Sequence, residues 1–369
     1  MAKENHYAVV VGVDQYPGFQ KGKRDLNCPQ NDAIAVRDWL LRPNGGDLPT
    51  GPQPNESQNL RLITREAPKG RPPPCPVVNE IVKAVKAVAE AFHDKYSLLD
   101  EVGQASIWNT SRLYLFFSGH GIDADGGDAV LLGADAEDGL LFHLSVQAIV
   151  NKFKVAKTFR ELVVWTDCCR TASAIPIGPV VLDLTPYRYE GSGDVRVFFA
   201  RASKTQQPAY EPPKEKLAED ANSFFTRALI EGLNGGVVGA ATGIRPSNLR
   251  PYLELRVPAL SQKYYKVDQA PDITPDDDME FVPAHAPTRF LVRLKVGAGS
   301  PFAAPNTVRV FSDVSNPAGA TEHAISAAGS GVFELALPNG LYVVTPNPTD
   351  PTAPEETFFV RGTDKEQEI

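Results

Sequence analysis

Two rhythms of apolar residues run along this chain, one before and one after a proline-broken acidic stretch at residues 269–287. Ahead of it, short and almost continuous apolar runs alternate with longer segments in which apolar positions recur every three to four residues. The first run is Tyr7 to Val13 (YAVVVGV). A strand without polar positions is covered on both faces, which points to a parallel sheet. Leu60 to Thr64, Arg112 to Phe117, Glu161 to Thr166 and Val195 to Ala200 predict four more strands. Between them, Ile34, Val36, Trp39 and Leu40 fall near helical spacing behind Asn31 or Asp32 as N-cap. Val78, Ile81, Val82, Val85, Val88 and Phe92 make a stripe that packs on a sheet, and Leu144 to Phe153 predicts another helix. Helices continue in NSFFTRALIEGL and around SNLRPYLELRVPALSQKYY. Strands and helices in alternation predict an α/β, doubly wound fold: a mainly parallel sheet flanked by helices, with its site at the carboxyl ends of the strands.

Beyond the acidic stretch the period becomes two. Val292, Leu294 and Val296 alternate with Arg293 and Lys295, and TVRVF, VFELAL, LYVVT and TFFVR repeat the pattern, with Pro338, Asn339 and Gly340 supplying a turn. The expected organisation is therefore an α/β domain over residues 1–268, a linker over 269–287, and a small C-terminal antiparallel β-sandwich, immunoglobulin-like or prealbumin-like, over 288–369.

A length of 369 residues with 42% hydrophobic residues is enough for two separate cores. Lys and Arg number 37 against 45 Asp and Glu, a net charge of −8, and no basic run carries interleaved aromatics, which argues against a nucleic-acid partner. No apolar run approaches the roughly 20 residues needed to cross a bilayer, and the opening MAKENHYAVVVGVD is too short in its apolar part for a secretion signal. A cytoplasmic protein with no membrane partner is the expectation. Four cysteines, Cys28, Cys75, Cys168 and Cys169, make neither a disulfide framework nor a CxxC zinc pair, so each must be judged individually. The 32 prolines predict long, stiff loops.

The third strand runs directly into Ser118-Gly119-His120-Gly121. Glycines on both sides leave the backbone free to turn and the imidazole free to stand over a cleft. The fourth strand ends in Asp167-Cys168-Cys169-Arg170, again at the edge where α/β folds build sites, and a thiol there, near a helix N-terminus that favours thiolate, is placed to act as a nucleophile. Each feature alone is equally a loop histidine or an inert buried cysteine. Together they lie 49 residues apart (169 minus 120).

The combination YAVVVGVDQY, NDA, FFSGHG, WTDCCR, ASKTQQPAYE and SFFTRALIEGL, over roughly residues 5–265, resembles the caspase-like clan of the caspase-hemoglobinase fold, closest to metacaspases and bacterial caspase homologues. The histidine-to-cysteine separation is near the ~50 residues of caspases. The resemblance implies a cysteine endopeptidase acting on protein or peptide substrates. The family's histidine falls on His120 and its cysteine on Cys169, with Cys168 at a variable position and the backbone amides of Gly121 and Cys169 as oxyanion donors. No third triad member is demanded, and Asp167 either orients the loop or ends the strand. Arg170, Thr171 and Ala172 stand where family members carry His-Ser-Gly.

The resemblance also implies an acidic S1 pocket, built from Asp32, Ser118 and a position after the fifth strand where Thr205 stands, with Glu211 the nearest carboxylate. A basic P1 residue is therefore expected, since no pair of arginines is available for an acidic one. Asp32 is otherwise a plain helix cap. No cofactor is expected. Calcium activation occurs in some metacaspases, and Asp135, Glu137 and Asp138, or Asp276, Asp277 and Asp278, could donate oxygens, but neither group has a spaced-ligand pattern, so the metal is left unknown. The loop from Thr171 to Asp194, with Arg188 inside it, and the stretch holding Lys214 and Lys216 are candidate self-processing sites. The C-terminal domain is a candidate docking module for an activating protein. The family's roles imply bacterial stress response, antiviral defence or regulated cell death. The alternatives are a catalytically silent caspase-fold scaffold, which would have no chemical reason to keep both His120 and Cys169, and another α/β hydrolase with a cysteine nucleophile.

Overall fold

The apolar runs form strands because helices cover both of their faces. In the computed structural model the first part of the chain contains β1 (His6–Gly12), α1 (Pro29–Leu41), β2 (Leu60–Ile63), α2 (Val78–Ser97), α3 (Glu101–Asn109) and β3 (Arg112–Ser118). It continues with β4 (Gly121–Ala124), β5 (Asp128–Leu132), β6 (His143–Ser145), α4 (Val146–Ala156), β7 (Glu161–Asp167), β8 (Thr171–Ala172) and β9 (Arg196–Arg201). Then come α5 (Phe224–Glu231), α6 (Pro246–Tyr265) and β10 (Asp272–Thr274). The structure describes residues 3–51, 56–70, 73–124, 128–172, 188–189, 191, 193–217, 221–237, 243–274, 279–284, 289–297, 300–302, 308–311, 322–323, 326–329, 331–338, 340–346, 353–360 and 365–368. The expected processing loop lies outside them over 173–187, as do Asp276, Asp277 and Asp278.

Six strands form one sheet in the order β10-β9-β7-β3-β1-β2, all parallel except β10, which runs antiparallel to β9. Alternate residues face opposite sides of a strand. Tyr7, Val9, Val11, Leu113, Leu115, Phe117, Leu162 and Val164 join Ile81, Val85, Val88 and Phe92 of α2 and Ile149, Val150 and Phe153 of α4 in one core. The intervening Ala8, Val10, Tyr114, Phe116, Val163 and Trp165 are equally buried. Trp39 of α1 meets Tyr114 and Trp165 with ring centroids 6.2 and 5.8 Å apart. Each large side chain so buried contributes roughly 1.5–3 kcal/mol, which is why no polar residue interrupts these runs.

Four features depart from the sequence expectation. Helix α1 begins at Pro29 with Cys28 as its N-cap residue, ahead of Asn31 and Asp32. A proline fits the first helical position, where its missing N–H costs nothing. Helix α3, with only Trp108 buried, has no apolar stripe to announce it and is held by Asp100, whose carboxylate accepts from Gly103 N at 2.9 Å. Residues 272–274, inside the stretch expected as linker, are a sheet strand: β10 is three residues long, and such brevity is usual at a sheet edge. A second small sheet, β6-β5-β4-β8, was also not legible, because its strands are too short for a period to show.

Residues 1–230 and 253–279 gather into one compact unit, and residues 231–252 and 280–369 into another. The second unit contains β11 (Arg289–Lys295), β12 (Val310–Phe311), β13 (Glu322–His323), β14 (Ser326–Gly329), β15 (Val332–Pro338), β16 (Gly340–Val344), β17 (Glu356–Val360) and β18 (Lys365–Glu368). They form two four-stranded sheets, β14-β15-β11-β18 and β13-β12-β16-β17. Val292, Leu294, Leu335 and Leu337 of the first sheet share a core with Val310, Tyr342, Val344 and Phe358 of the second. Pairing is antiparallel except for β11 with β18, the first and last strands, which run parallel. The long intervening chain supplies the crossover that parallel pairing needs.

Candidate active site

The register of the central sheet brings three strand ends to one level: Gly12 pairs with Ser118, and Ser118 with Asp167. The order of the sheet reverses between β1 and β3, and ligand sites of such sheets lie at the carboxyl ends near that point. An open cleft is there, lined by Leu26, Cys28, Pro29 and Asp32 after β1, Ser118 to His120 after β3, and Asp167 to Cys169 after β7. Ala209 to Glu211, after β9, and Ser223 complete its wall.

His120 and Cys169 hold equivalent places on two neighbouring segments. Below them Ser118 is in register with Asp167, and above them Ile122 is paired in parallel with Thr171. The two glycines beside His120 are required by this closeness. Gly119 has φ +154°, and a Cβ there would stand 2.6 Å from the Tyr16 hydroxyl. A Cβ on Gly121 would lie 2.5 Å from the Cys169 carbonyl oxygen and 2.7 Å from Cys168 Cβ. Any side chain at 121 would therefore push the two loops apart.

Four groups fix the imidazole. Its Nε2 is 2.5 Å from the carbonyl oxygen of Arg24, so Nε2 carries the proton and donates it, leaving Nδ1 as the basic atom. The His120 amide donates to Tyr16 Oη at 2.7 Å, and the Tyr16 hydroxyl donates to Val13 O at 3.1 Å. The Tyr16 and Phe19 rings lie 4.7 and 5.9 Å from the imidazole. No motif pointed to Arg24, because a backbone carbonyl acts there and any residue type provides one.

Cys169 Sγ accepts from Ala209 N at 3.3 Å and donates to Ala209 O at 3.5 Å. Burial pushes its thiol above the ordinary cysteine value, against the opposing pull of the Ala209 N–H, and burial also holds His120 below the usual imidazole value. Both shifts favour neutral partners in the free protein. β8 rather than a helix directly follows Cys169, so the segment that carries the thiol does not itself open a helix. Cys168 is fully buried, with its thiol pushed up to about 12 by the same cause.

The floor of the cleft is acidic. Asp32 lies inside the first turns of α1, fully buried, and is not the cap. Its Oδ1 accepts from Asn222 Nδ2 and Ser223 N, both at 3.0 Å, and its Oδ2 from Ser118 Oγ at 2.9 Å and Ser223 Oγ at 2.7 Å. Asp167 is also buried and accepts from Ser223 Oγ, from Thr226 N at 2.9 Å and from Thr226 Oγ1 at 2.6 Å. Burial first, and then the Asp167 charge, push the Asp32 carboxyl well up, while burial raises Asp167. Glu211 accepts from Asn27 N at 3.2 and 3.0 Å, and from Cys28 N at 3.0 Å, at the start of α1. Such a position favours an anion.

Of the expected pocket residues, Asp32, Ser118 and Glu211 line the cleft. Thr205 does not: it is exposed, and its Oγ1 accepts from Arg170 Nη2 at 2.7 Å. Asp167, beside the thiol, is a further carboxylate of the cleft that was not expected there, in addition to Glu211 after β9. Arg170, the unfamiliar neighbour of Cys169, is buried and bonded through Nη1 to Asp272 Oδ2 at 2.7 Å, which ties the loop to β10. Asp135 and Asp138 accept from backbone amides of Val78 and Gln20, and among the described residues no three acidic, His or Cys side chains meet in a way that could hold a metal. Arg188, Lys214 and Lys216 are exposed. Among the described residues no helix is long and apolar enough to cross a membrane.

A sequence family described as the caspase domain matches residues 5–240. Among solved structures, caspase-1 from Spodoptera frugiperda is 14% identical, with 76% of this chain and 92% of that chain covered and a TM-score of 0.45. A protein from Geobacter sulfurreducens is likewise 14% identical, covering 74% and 95% of the two chains at a TM-score of 0.42. Comparison with curated protein sequences gives no match.

Proposed function

The chain belongs to the caspase-domain family of cysteine peptidases, and from this premise we propose that it is a protein-cleaving endopeptidase whose nucleophile is Cys169 and whose acid–base group is His120. The observation that carries the reading is the pairing of the two segments on both sides of these residues, which sets thiol and imidazole on the same cleft. In the reaction, His120 Nδ1 takes the thiol proton and the Cys169 sulfur attacks the scissile carbonyl carbon. The C–N bond then breaks as the imidazolium returns its proton to the leaving amine. Water, deprotonated by His120, releases the acyl group. The Arg24 carbonyl stabilises the imidazolium while it exists and holds the proton on Nε2, leaving Nδ1 for the thiol. The amides of Gly121 and Cys169 are assigned to the oxyanion, where a single donor is worth about 10²–10³ in rate.

A P1 arginine or lysine fits the cleft best. Its floor holds Asp32 and Asp167, Glu211 stands on its wall, and among its lining residues there is no Lys or Arg. Cleavage of fluorogenic peptides with P1 Arg, Lys, Asp or Leu tests this: turnover only of the basic peptides, abolished by a thiol-alkylating reagent, is expected. A preference for P1 Asp or Leu would refute the assignment. Self-processing at Arg188, Lys214 or Lys216 belongs to the same reading, as does recruitment of an activating protein by residues 288–369. Mass spectrometry of the active chain beside Cys169→Ala would reveal the cut ends.

A further inference from the structure

The acidic floor holds more contacts than its hydrogens can satisfy if both carboxylates are ionised. Ser223 has a single hydroxyl hydrogen, yet its Oγ is 2.7 Å from Asp32 Oδ2 and also within hydrogen-bond distance of Asp167 Oδ2. It can donate to one oxygen; at the other it must accept, so that carboxyl carries a proton. The remaining partners of the pair are Asn222, Ser118, Thr226 and backbone amides, all neutral donors that leave the count unchanged. The titratable groups facing the pair from the surrounding elements are Cys28 before α1, Cys168 and Cys169 after β7, Glu211 after β9, and His120 after β3. Burial and acidic neighbours raise the Cys28, Cys168 and Cys169 thiols, so these stay neutral at ordinary pH and supply no counter-charge, and His120 is held neutral by burial.

We propose that the free pocket stores one proton on the Asp32–Ser223–Asp167 chain, and that a guanidinium or ammonium group entering the pocket expels it to solvent. This inference rests on the basic-P1 reading and adds its regulation. The charge balances: the Asp32–Asp167 pair, −1 with its proton, becomes −2 plus the +1 of the ligand, while the oxygen-bound hydrogen leaves to water or buffer and Glu211 is not part of the exchange. Filling the pocket then costs no net change in buried charge, and affinity for cations rises with pH by about tenfold per unit until the chain has lost its proton in the free protein. An uncharged isostere of arginine, such as citrulline, can expel nothing.

Calorimetric titration of the full chain with benzamidine, in two buffers of different ionisation enthalpy, counts the protons. Release of about one proton per benzamidine is expected, with a matching rise of affinity with pH. Asp167→Asn, which cannot hold the shared proton, should bind benzamidine with little release. Binding without proton release in the wild type, or undiminished release in Asp167→Asn, would overturn the linkage and leave the basic-P1 reading intact. Failure of benzamidine and of arginine amide to bind at any pH would overturn both. Should Asp167→Asn not fold, the wild-type proton count and pH slope decide alone.

Discussion

The Cys169 sulfur lies between the amide and the carbonyl of a single residue, Ala209, at 3.3 and 3.5 Å. The two contacts oppose each other. An N–H stabilises a thiolate, whereas a carbonyl oxygen favours the protonated thiol, and burial adds to the second effect. A substrate strand that took over the Ala209 carbonyl would free the sulfur to ionise toward His120.

Alkylation should follow from this balance. Iodoacetamide reacts with the thiolate, so in the free protein the rate at Cys169 should keep climbing, by about tenfold per pH unit, beyond the pH at which an ordinary cysteine levels off. Peptide mapping of the alkylated protein gives the rate at that residue. A plateau at or below neutral pH would mean that Cys169 is already an ion pair.

Cys169→Ala and His120→Ala should each lower turnover of a basic peptide by about a thousandfold or more, and the double variant by little further, because the two act as one unit. Cys168→Ala should keep most activity, since its thiol is buried and pushed up to about 12. Loss confined to the Cys168 variant, measured by steady-state kinetics, would reverse the assignment.

Asp32→Asn should reduce kcat/KM for Arg and Lys peptides by about 10- to 100-fold, the worth of a charge-assisted hydrogen bond in a dry pocket. Its effect on stability has a defined sign. The Asp32 carboxyl is raised in the folded protein, so its contribution is fully present below the unfolded carboxyl value and is lost as pH rises through the folded one. The variant should therefore compare better with the wild type at alkaline than at acid pH in thermal melts.

Asp272→Asn should lower the melting temperature and kcat together. Arg170 is 3% exposed and its Nη1 lies 2.7 Å from Asp272, which also receives Arg201 at 3.4 Å. Asp272 itself is 38% exposed, so solvent screens the pair and the loss should be about 1 kcal/mol. A variant with unchanged kcat would separate β10 from the geometry of the Cys169 loop.

A chain ending at Val282 keeps β10 and should retain hydrolysis of short peptides. It should melt at lower temperature, because residues 231–252 lose the strands with which they form a unit. A chain ending at Gln269 removes Asp272 as well and should be inactive. Equal activity of the two truncations would contradict the anchoring of Arg170 by β10.

Much of the sheet was legible because burial on both faces leaves an uninterrupted apolar run: Arg112 to Phe117 was expected and Arg112–Ser118 is found. The small strands β4 and β8 left no such trace, although they are what pairs the segments carrying His120 and Cys169. At the site, Asp32, Ser118 and Glu211 could be named from motifs, yet their partners could not. Ser223 is 191 residues from Asp32 and opens the SFFTRALIEGL segment, where nothing marks its hydroxyl as a partner of the acidic floor, and the Arg24 carbonyl has no residue signature at all. Thr205 was a pocket expectation only through the family resemblance. Its hydroxyl serves Arg170 instead.

The outermost strands of the central sheet also bear on assembly. β2 has four residues and β10 only three, the latter directly after Pro271, so each border exposes very few free ladder groups to another molecule. Among the described residues, pairing of a second copy along either border would gain only a few backbone hydrogen bonds, and the same shortness disfavours edge-to-edge aggregation. Self-association, where it occurs, would then draw mainly on side chains of other surfaces. Its strength should then respond to surface charge and salt rather than to backbone pairing.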